Sequence, residues 1–335
     1  MELSTNCKKL MYELGLAKEN SPLDVSPLTG GVSSDIARVE VDGRVYCAKF
    51  ALSKLKVKED WNAPVHRNKA EYEWLKIAAA IAPESTMKLF GRSETLHGFA
   101  MEFLSGDDIY LWKTALLEET SNWDESAKVG ELIGRIHSES ALKGFDKSQF
   151  YHRDDFYALR IEPYLVFTSE SHPEVSVILK RLADQLYEAE NVLVHGDVSP
   201  KNILFRDGKA IILDAECATM GDPAFDVAFA LNHLLLKAIH IPTSTSRLLE
   251  SVLDFWSAYH PSIHWETSAD LEERICQLLP ALMLARVDGK SPVEYLSEHN
   301  RKQVRMMSLD LIQQPVQTLK QFVSTIAQQL EEKQT

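Results

Sequence analysis

Residues 192–214 constrain this chain more than any other segment. Two short apolar runs, Val192-Leu193-Val194 and Ile203-Leu204-Phe205, flank the loop His195-Gly196-Asp197-Val198-Ser199-Pro200-Lys201-Asn202. An Asp207-Gly208 pair turns the second run into a third, Ala210 to Leu213, which stops directly at Asp214. A hairpin of this length returns the chain beside its start, so Asp197, Asn202 and Asp214 should converge at one end of a small ribbon. Two carboxylates and an amide oxygen in one place suit a hard divalent cation such as Mg²⁺. Such ions take oxygen ligands and commonly share them with phosphates.

The periodicity of the rest divides the chain in two. A short amphipathic helix at the N-terminus has Leu3, Cys7, Leu10, Met11 and Leu14 on one face. From Val25 to Phe50 the pattern is strand-like, with Asp42-Gly43 as a hairpin signal between Ile36–Val41 and Val45–Phe50. A helix from Asn68 to about Ala82 ends at Pro83, and apolar segments follow around Met87–Phe90 and Phe99–Leu104. The first 104 residues therefore read as a small sheet with one main helix. Residues 105–335 read as mostly helical, over Asp124–Ser140, Val175–Glu190, Pro223–His240, Thr245–Tyr259, Asp270–Arg286 and a broken stretch from Ser291 onward.

Taken in order, His195-Gly196-Asp197, Asn202, Asp214 and Gly221-Asp222-Pro223-Ala224-Phe225-Asp226 resemble the aminoglycoside phosphotransferase and choline kinase superfamily, small-molecule kinases with the protein-kinase fold. Gly196, where protein kinases carry Arg, is similar to the small-molecule branch. The resemblance covers most of residues 25–240. It implies an α+β, bilobal fold, with a β-rich nucleotide-binding lobe over 1–104 and a helical catalytic and substrate-binding lobe over 105–335. It implies ATP and Mg²⁺, with Asp197 meeting the substrate hydroxyl and Asn202 and Asp214 holding the metal. His195 and Asp226 would brace the loop. Lys49 would contact the α- and β-phosphates, with Glu71 as its ion-pair partner and Glu73 in reserve. Gly30, Gly31 and Ser33 would bring backbone N–H groups to the phosphates. Met101-Glu102-Phe103-Leu104 looks like the interlobe hinge, where the Glu102 carbonyl and Leu104 N–H would meet adenine. Ser34 and Ala215 depart from residues common in that superfamily, Asn and an aromatic.

Glu216, Arg286 and Asp288 are candidates for substrate contact. Arg286 and Asp288 sit with Lys290 on a helix-ending turn, which a capped surface turn explains equally well. Lys54, Lys56, Lys58, His66 and Arg67 form a basic stretch that reads as solvated surface. His137 and the stripe Leu231, Leu234, Leu235 and Ile239 read as core.

Composition narrows the partners. Formal charge is −13 over 335 residues, against nucleic acid or an anionic membrane as partner. Residues 1–104 carry 14 basic and 14 acidic side chains, so the whole excess lies in residues 105–335, with 22 against 35. That field tilts the expected acceptor, a small molecule with a hydroxyl group, towards a cationic or neutral compound. Four dispersed cysteines and an N-terminus without a signal-peptide core fit a cytoplasmic protein; oligomeric state stays open. A local likeness of residues 60–71 and 213–236 to methylthioribose kinase leaves a sugar acceptor open. A catalytically silent nucleotide-binding scaffold is the other alternative, and a protein kinase is disfavoured by Gly196 and by the lack of an Ala-Pro-Glu segment after Asp214.

Overall fold

The computed structural model of the protein describes residues 2–28, 33–54 and 64–331. The chain forms two compact units, Met1–Ile109 and Tyr110–Thr335. Gly30, Gly31, Lys56 and Lys58 lie outside the described residues.

In the first unit, helix α1 (Glu2–Glu13) leads to strands β1 (Leu23–Leu28), β2 (Ser34–Val41) and β3 (Arg44–Ala51). Helix α2 (Arg67–Ile81) and strands β4 (Leu89–Ser93) and β5 (Gly98–Glu102) follow. The strands make one antiparallel sheet in the order β1-β2-β3-β5-β4. Asp42 and Gly43 have φ of 50° and 72°, the left-handed pair that lets a two-residue turn follow the twist of β2 and β3. Side chains alternate across β3. Tyr46, Ala48 and Phe50 join Cys7, Leu10 and Met11 of α1 in one apolar cluster. Lys49 belongs to the opposite face, where it meets α2.

Arg67 corrects the reading of the basic stretch as surface. It is fully buried at the start of α2. Its Nη1 donates to the Pro64 carbonyl (2.8 Å), and its Nη2 to the carbonyls of Ser33 (2.5 Å) and Leu52 (2.7 Å). Three carbonyl acceptors offset the cost of taking this cation out of water. Lys54 and His66 are exposed, as the composition of the stretch implies.

The second unit begins around β6 (Ile109–Leu111) and runs through α3 (Trp112–Leu117) and α4 (Glu125–Ser140). A continuous helical stretch follows: α5 (Arg153–Phe156), a π-helical segment over Tyr157–Val166, and α6 (Phe167–Ser171). After α7 (Ser176–Glu188) come β7 (Val192–Val194), β8 (Ile203–Arg206), β9 (Lys209–Ile212) and β10 (Thr219–Gly221). The unit closes with α8 (Pro223–His240), α9 (Thr245–Tyr259), α10 (Ser268–Asp288), α11 (Glu298–Gln313) and α12 (Leu319–Glu331). β8 pairs with β9 and β6, and β7 pairs with β10.

Helix α8 is apolar almost all round and accordingly buried from Pro223 to Ile239. Its start is well specified: Asp222 accepts from the Ala224 N–H at 2.9 Å, and Pro223 occupies the first turn, where its missing N–H costs nothing. Helix α4 approaches α9 so closely that a Cβ at Gly130 would stand 2.4 Å from the Phe255 carbonyl oxygen. Periodicity did not predict the helical stretch 153–171. Pro163 inside it lacks a donor, and the wide π turns remove the ordinary 3.6-residue repeat. Strand β10 was also unforeseen, being three residues long with β7 as its partner. Among the described residues no single helix is long and apolar enough to cross a membrane.

Candidate active site

The loop after β7 is held from both sides by backbone hydrogen bonds. Asp226, fully buried in the first turn of α8, accepts from the N–H of His195 (2.6 Å) and of Gly196 (2.8 Å), one at each carboxylate oxygen. His195 accepts the Asp197 N–H at Nδ1 (3.1 Å) and faces the Leu213 carbonyl through Nε2 (3.1 Å). Those contacts require the neutral ring with its proton on Nε2, and burial lowers the His195 pKa in agreement. Gly196 has φ of 79°, and a Cβ there would stand 2.8 Å from the Cys217 Cβ. Glycine is therefore demanded twice at this position, by conformation and by space.

Register places the three candidate oxygen donors beside one another. Ile203 pairs with Ile212 in the β8–β9 hairpin, and one step beyond it the Leu213 N–H donates to the Asn202 carbonyl (2.8 Å). The Asn202 side-chain amide donates to the Asp197 carbonyl (3.2 Å), which directs its Oδ1 away from that contact. Asp214 follows Leu213 with φ of 69°. An amide oxygen and a carboxylate on adjacent chain segments are the hard donors a Mg²⁺ or Ca²⁺ ion takes, so the residues present fit a divalent cation.

Asp197 itself is buried, and its two oxygens differ. Oδ2 lies 2.9 Å from Arg160 Nη2 and 3.2 Å from Lys201 Nζ, whereas Oδ1 is buried with no hydrogen-bond partner among the described residues. Arg160 also donates from Nε to the Gly196 carbonyl (2.5 Å) and from Nη1 to the Leu159 carbonyl (2.8 Å), which locks the guanidinium against the loop. Burial pushes the Asp197 carboxyl up, but the cations Lys201 and Arg160 outweigh it and hold its pKa well below the usual carboxylate range. The Lys201 side chain is half exposed and screened by water, so buried Arg160 is the more secure counter-ion.

The first unit holds a separate polar arrangement. Lys49 Nζ and Glu71 Oε1 form a buried ion pair of 2.7 Å, while Glu73 pairs with Lys76 on the surface of α2. The Ser33 carbonyl accepts from Arg67 and from the Leu52 N–H (3.0 Å). Met101 and Glu102 end β5, where the Glu102 N–H donates to the Lys88 carbonyl (2.8 Å) and its carboxylate accepts from the Lys88 N–H (3.0 Å). Phe103 and Leu104 continue beyond the strand.

The remaining candidates divide. Glu216 is buried and acts electrostatically on Arg160. Asp288 is engaged by Arg305 at 2.6 and 2.7 Å and by His172 Nε2 at 2.8 Å, a set of contacts that ties α10 to α11. Arg286 is buried in the last turn of α10 rather than on a surface turn. Two residues were absent from the sequence-based site. Lys201 stands inside the loop motif and could have been found from its place four residues after Asp197. Arg160 lies 37 residues from Asp197 on an element that no periodicity announced.

A model of the phosphotransferase enzyme family matches residues 24–271. The methylthioribose kinase of Pectobacterium atrosepticum is 21% identical over 240 residues, covering 61% of this chain and 59% of its own length. That of Geobacillus thermodenitrificans is 24% identical over 292 residues, covering 78% and 73%. The chain thus spans about six-tenths of the length of the first of these relatives. Among solved structures, an amicoumacin kinase in complex with AMP-PNP, Ca²⁺ and Ami aligns over 92% of this chain and 96% of its own, with a TM-score of 0.55 at 13% identity. That likeness is one of fold, the protein-kinase-like arrangement of a β-sheet region followed by a helical remainder. Because the family model takes in well over half of the 335 residues, the chain belongs to the phosphotransferase enzyme family.

Proposed function

We propose that the protein transfers the γ-phosphoryl group of ATP to a hydroxyl of a small molecule. The observation that carries this reading is the asymmetry of Asp197, with one oxygen tied to two cations and the other buried without a hydrogen-bond partner among the described residues. A carboxylate so held stays ionised at neutral pH and is a weak base. Its task is then to accept a hydrogen bond from the acceptor hydroxyl at Oδ1 and aim the oxygen at phosphorus. The hydroxyl oxygen forms the new bond to the γ-phosphorus and the bond from that phosphorus to the β–γ bridging oxygen breaks. ADP leaves with that electron pair, and the hydroxyl proton is released to solvent. Lys49, fixed by Glu71, would position the nucleotide phosphates. Asn202 and Asp214 would hold a divalent cation that neutralises phosphate charge. His195 and Asp226 keep the loop in register, and the hinge residues 101–104 would receive the base.

A sugar acceptor of the kind that methylthioribose kinases take is the second reading. It is favoured by the two kinases of that name among the relatives. ATP consumption with Mg²⁺ against a panel of sugars, amino alcohols and aminoglycosides tests both. Asp197→Asn should lower kcat by about 10²–10⁴-fold while ATP affinity, measured by calorimetry, stays within a few fold. A variant that turns over as fast as the wild type would refute the role of Asp197. Chelation of divalent cations should abolish turnover.

A further inference from the structure

One face of α8 carries Asp226, Ala230, His233 and Lys237 at helical spacing, leading away from the loop that Asp226 braces. Tyr164 packs its ring on Phe229 of this helix, 5.6 Å between centroids, and stands four residues after Arg160, the counter-ion of Asp197, in the π-helical segment, so this part of α8 adjoins the site. Lys237 is fully buried and forms no salt bridge among the described residues. Its Nζ has one weak contact, 3.4 Å from the His233 carbonyl, and lies 5.1 Å from the centre of the Tyr295 ring. Arg286 is nine-tenths buried and also forms no salt bridge among the described residues. Its Nη1 meets the Tyr164 hydroxyl (3.3 Å) and Ser291, while its Nε is buried without a partner. The Tyr295 hydroxyl is likewise buried and without a hydrogen-bond partner among the described residues. Glu294 is the acid that acts on Lys237, and it is already bound to Lys113. The cluster therefore presents buried donors and basic groups whose acidic neighbour is engaged elsewhere, and burying such groups without a paired anion is costly.

We propose that Lys237, Arg286 and Tyr295 form an oxyanion subsite, so that the acceptor of this phosphotransferase carries a carboxylate or phosphate group as well as the hydroxyl that is phosphorylated. The inference rests on the phosphotransfer reading above and names the substrate class within it. It runs against the tilt drawn from net charge. The 13 excess acidic residues of 105–335 set a screened, distant field, whereas two desolvated cations act on a ligand in direct contact. Lowering of the Lys237 pKa to about 7 by burial, with Lys113 and Arg286 adding to it, is the mark of an amine that lacks the anion it would pair with. Phosphorylation would convert HO–R–X⁻ and ATP into the phosphate ester of R–X⁻, ADP and a proton, with X⁻ unchanged throughout.

The test measures turnover with ATP and Mg²⁺ on hydroxyl compounds of matched size: neutral polyols and sugars, amino alcohols, hydroxy carboxylates, and sugar phosphates. Wild type, Lys237→Met and Arg286→Gln are compared, and thermal stability is read in parallel with inorganic phosphate and with malonate. The expected best acceptor belongs to one of the two anionic classes, and which one it is tells carboxylate from phosphate. Each substitution should raise KM for that acceptor about tenfold or more, as loss of a charge-assisted hydrogen bond implies, with kcat and the KM for ATP changing by less than about threefold. Lys237→Met should melt higher than wild type without ligand, since it removes a buried unpaired cation, yet gain nothing from the anions that stabilise wild type. A neutral or cationic compound as best acceptor, or an anionic one whose KM ignores both substitutions, overturns the subsite. Equal stabilisation of wild type and Lys237→Met by the anion probes overturns it as well. If no compound is turned over but the anions stabilise only the wild type, the subsite stands and the phosphotransfer reading falls.

Discussion

Asp197 and its two counter-ions illustrate how position decides the worth of a charge. Arg160 and Lys201 reach the same oxygen at similar distances, but the Arg160 side chain is 9% exposed and that of Lys201 is 52% exposed. Removing a partner from a buried pair leaves an uncompensated ion, at a cost of about 3–5 kcal/mol, whereas exposed pairs contribute about 0–1 kcal/mol. Arg160→Met should therefore lower the unfolding free energy by about 3–5 kcal/mol. Lys201→Met should lower it by less than about 1 kcal/mol. Urea titration checks both. The sign with pH follows from the depressed Asp197 pKa. Its contribution is present in full above the ordinary carboxylate pKa and is lost as acid protonates the native carboxylate. The acid limb of the stability curve should be shallower in Arg160→Met than in the wild type. At this scale sequence legibility was uneven. His195, Asp197, Asn202 and Asp214 were readable because one loop and one hairpin hold them. Arg160 was not, because its partner lies on another element, and Arg67 was misread because its three carbonyl acceptors come from separated segments.

Among the elements, β3 with α2, and α8, position the polar groups that matter most. Strand alternation sends Lys49 to the α2 side of the sheet, and helical spacing brings Glu71 there while turning Glu73 outward to Lys76. The hairpins were legible down to their Asp-Gly turns, since a two-residue turn restricts backbone dihedrals locally. Asp207 and Gly208, with φ of 50° and 70°, repeat the geometry of Asp42 and Gly43. The π-helical segment was not legible, because its side-chain spacing matches neither common period. Helix α8 supplies a pH prediction. Lys237 has a native pKa of about 7 against an ordinary value of 10.5, so between these limits the unfolded chain binds more protons. Its contribution to stability should therefore rise as pH increases from 7 to 10.5. The charged groups that bear on it are Lys113, Arg286 and Glu294. Denaturant midpoints compared with Lys237→Met, in which this rise should be missing, check the assignment.

For the whole molecule, two general features inferred from composition have different fates. The four cysteines, dispersed and without a paired spacing, are all free and buried. Burial is the largest cause pushing the thiols of Cys7, Cys47 and Cys276 up to about 12, and the Cys217 thiol is raised as well. The native protein should leave all four unlabelled by a thiol reagent at neutral pH, and denaturation should expose four per chain. Labelling of any cysteine in the native state would contradict this packing. Net charge, in contrast, describes the surface. It is silent on the interior of the second unit, where Lys237 and Arg286 form no salt bridge among the described residues and the nearby Glu294 is bound to Lys113.

The sequence by itself determined what is encoded within a few residues of chain: the loop from His195 to Asn202, the Asp-Gly hairpins, the cap of α8, and through these the family. Tertiary structure alone decided which charges are desolvated and by what they are met. Arg160 comes to Asp197, Arg67 to three carbonyls, and Lys237 and Arg286 to no salt bridge among the described residues. The physical reason is that the energy of an ionised group depends on its distance from water and from other charges, and folding sets both by joining segments far apart in the chain.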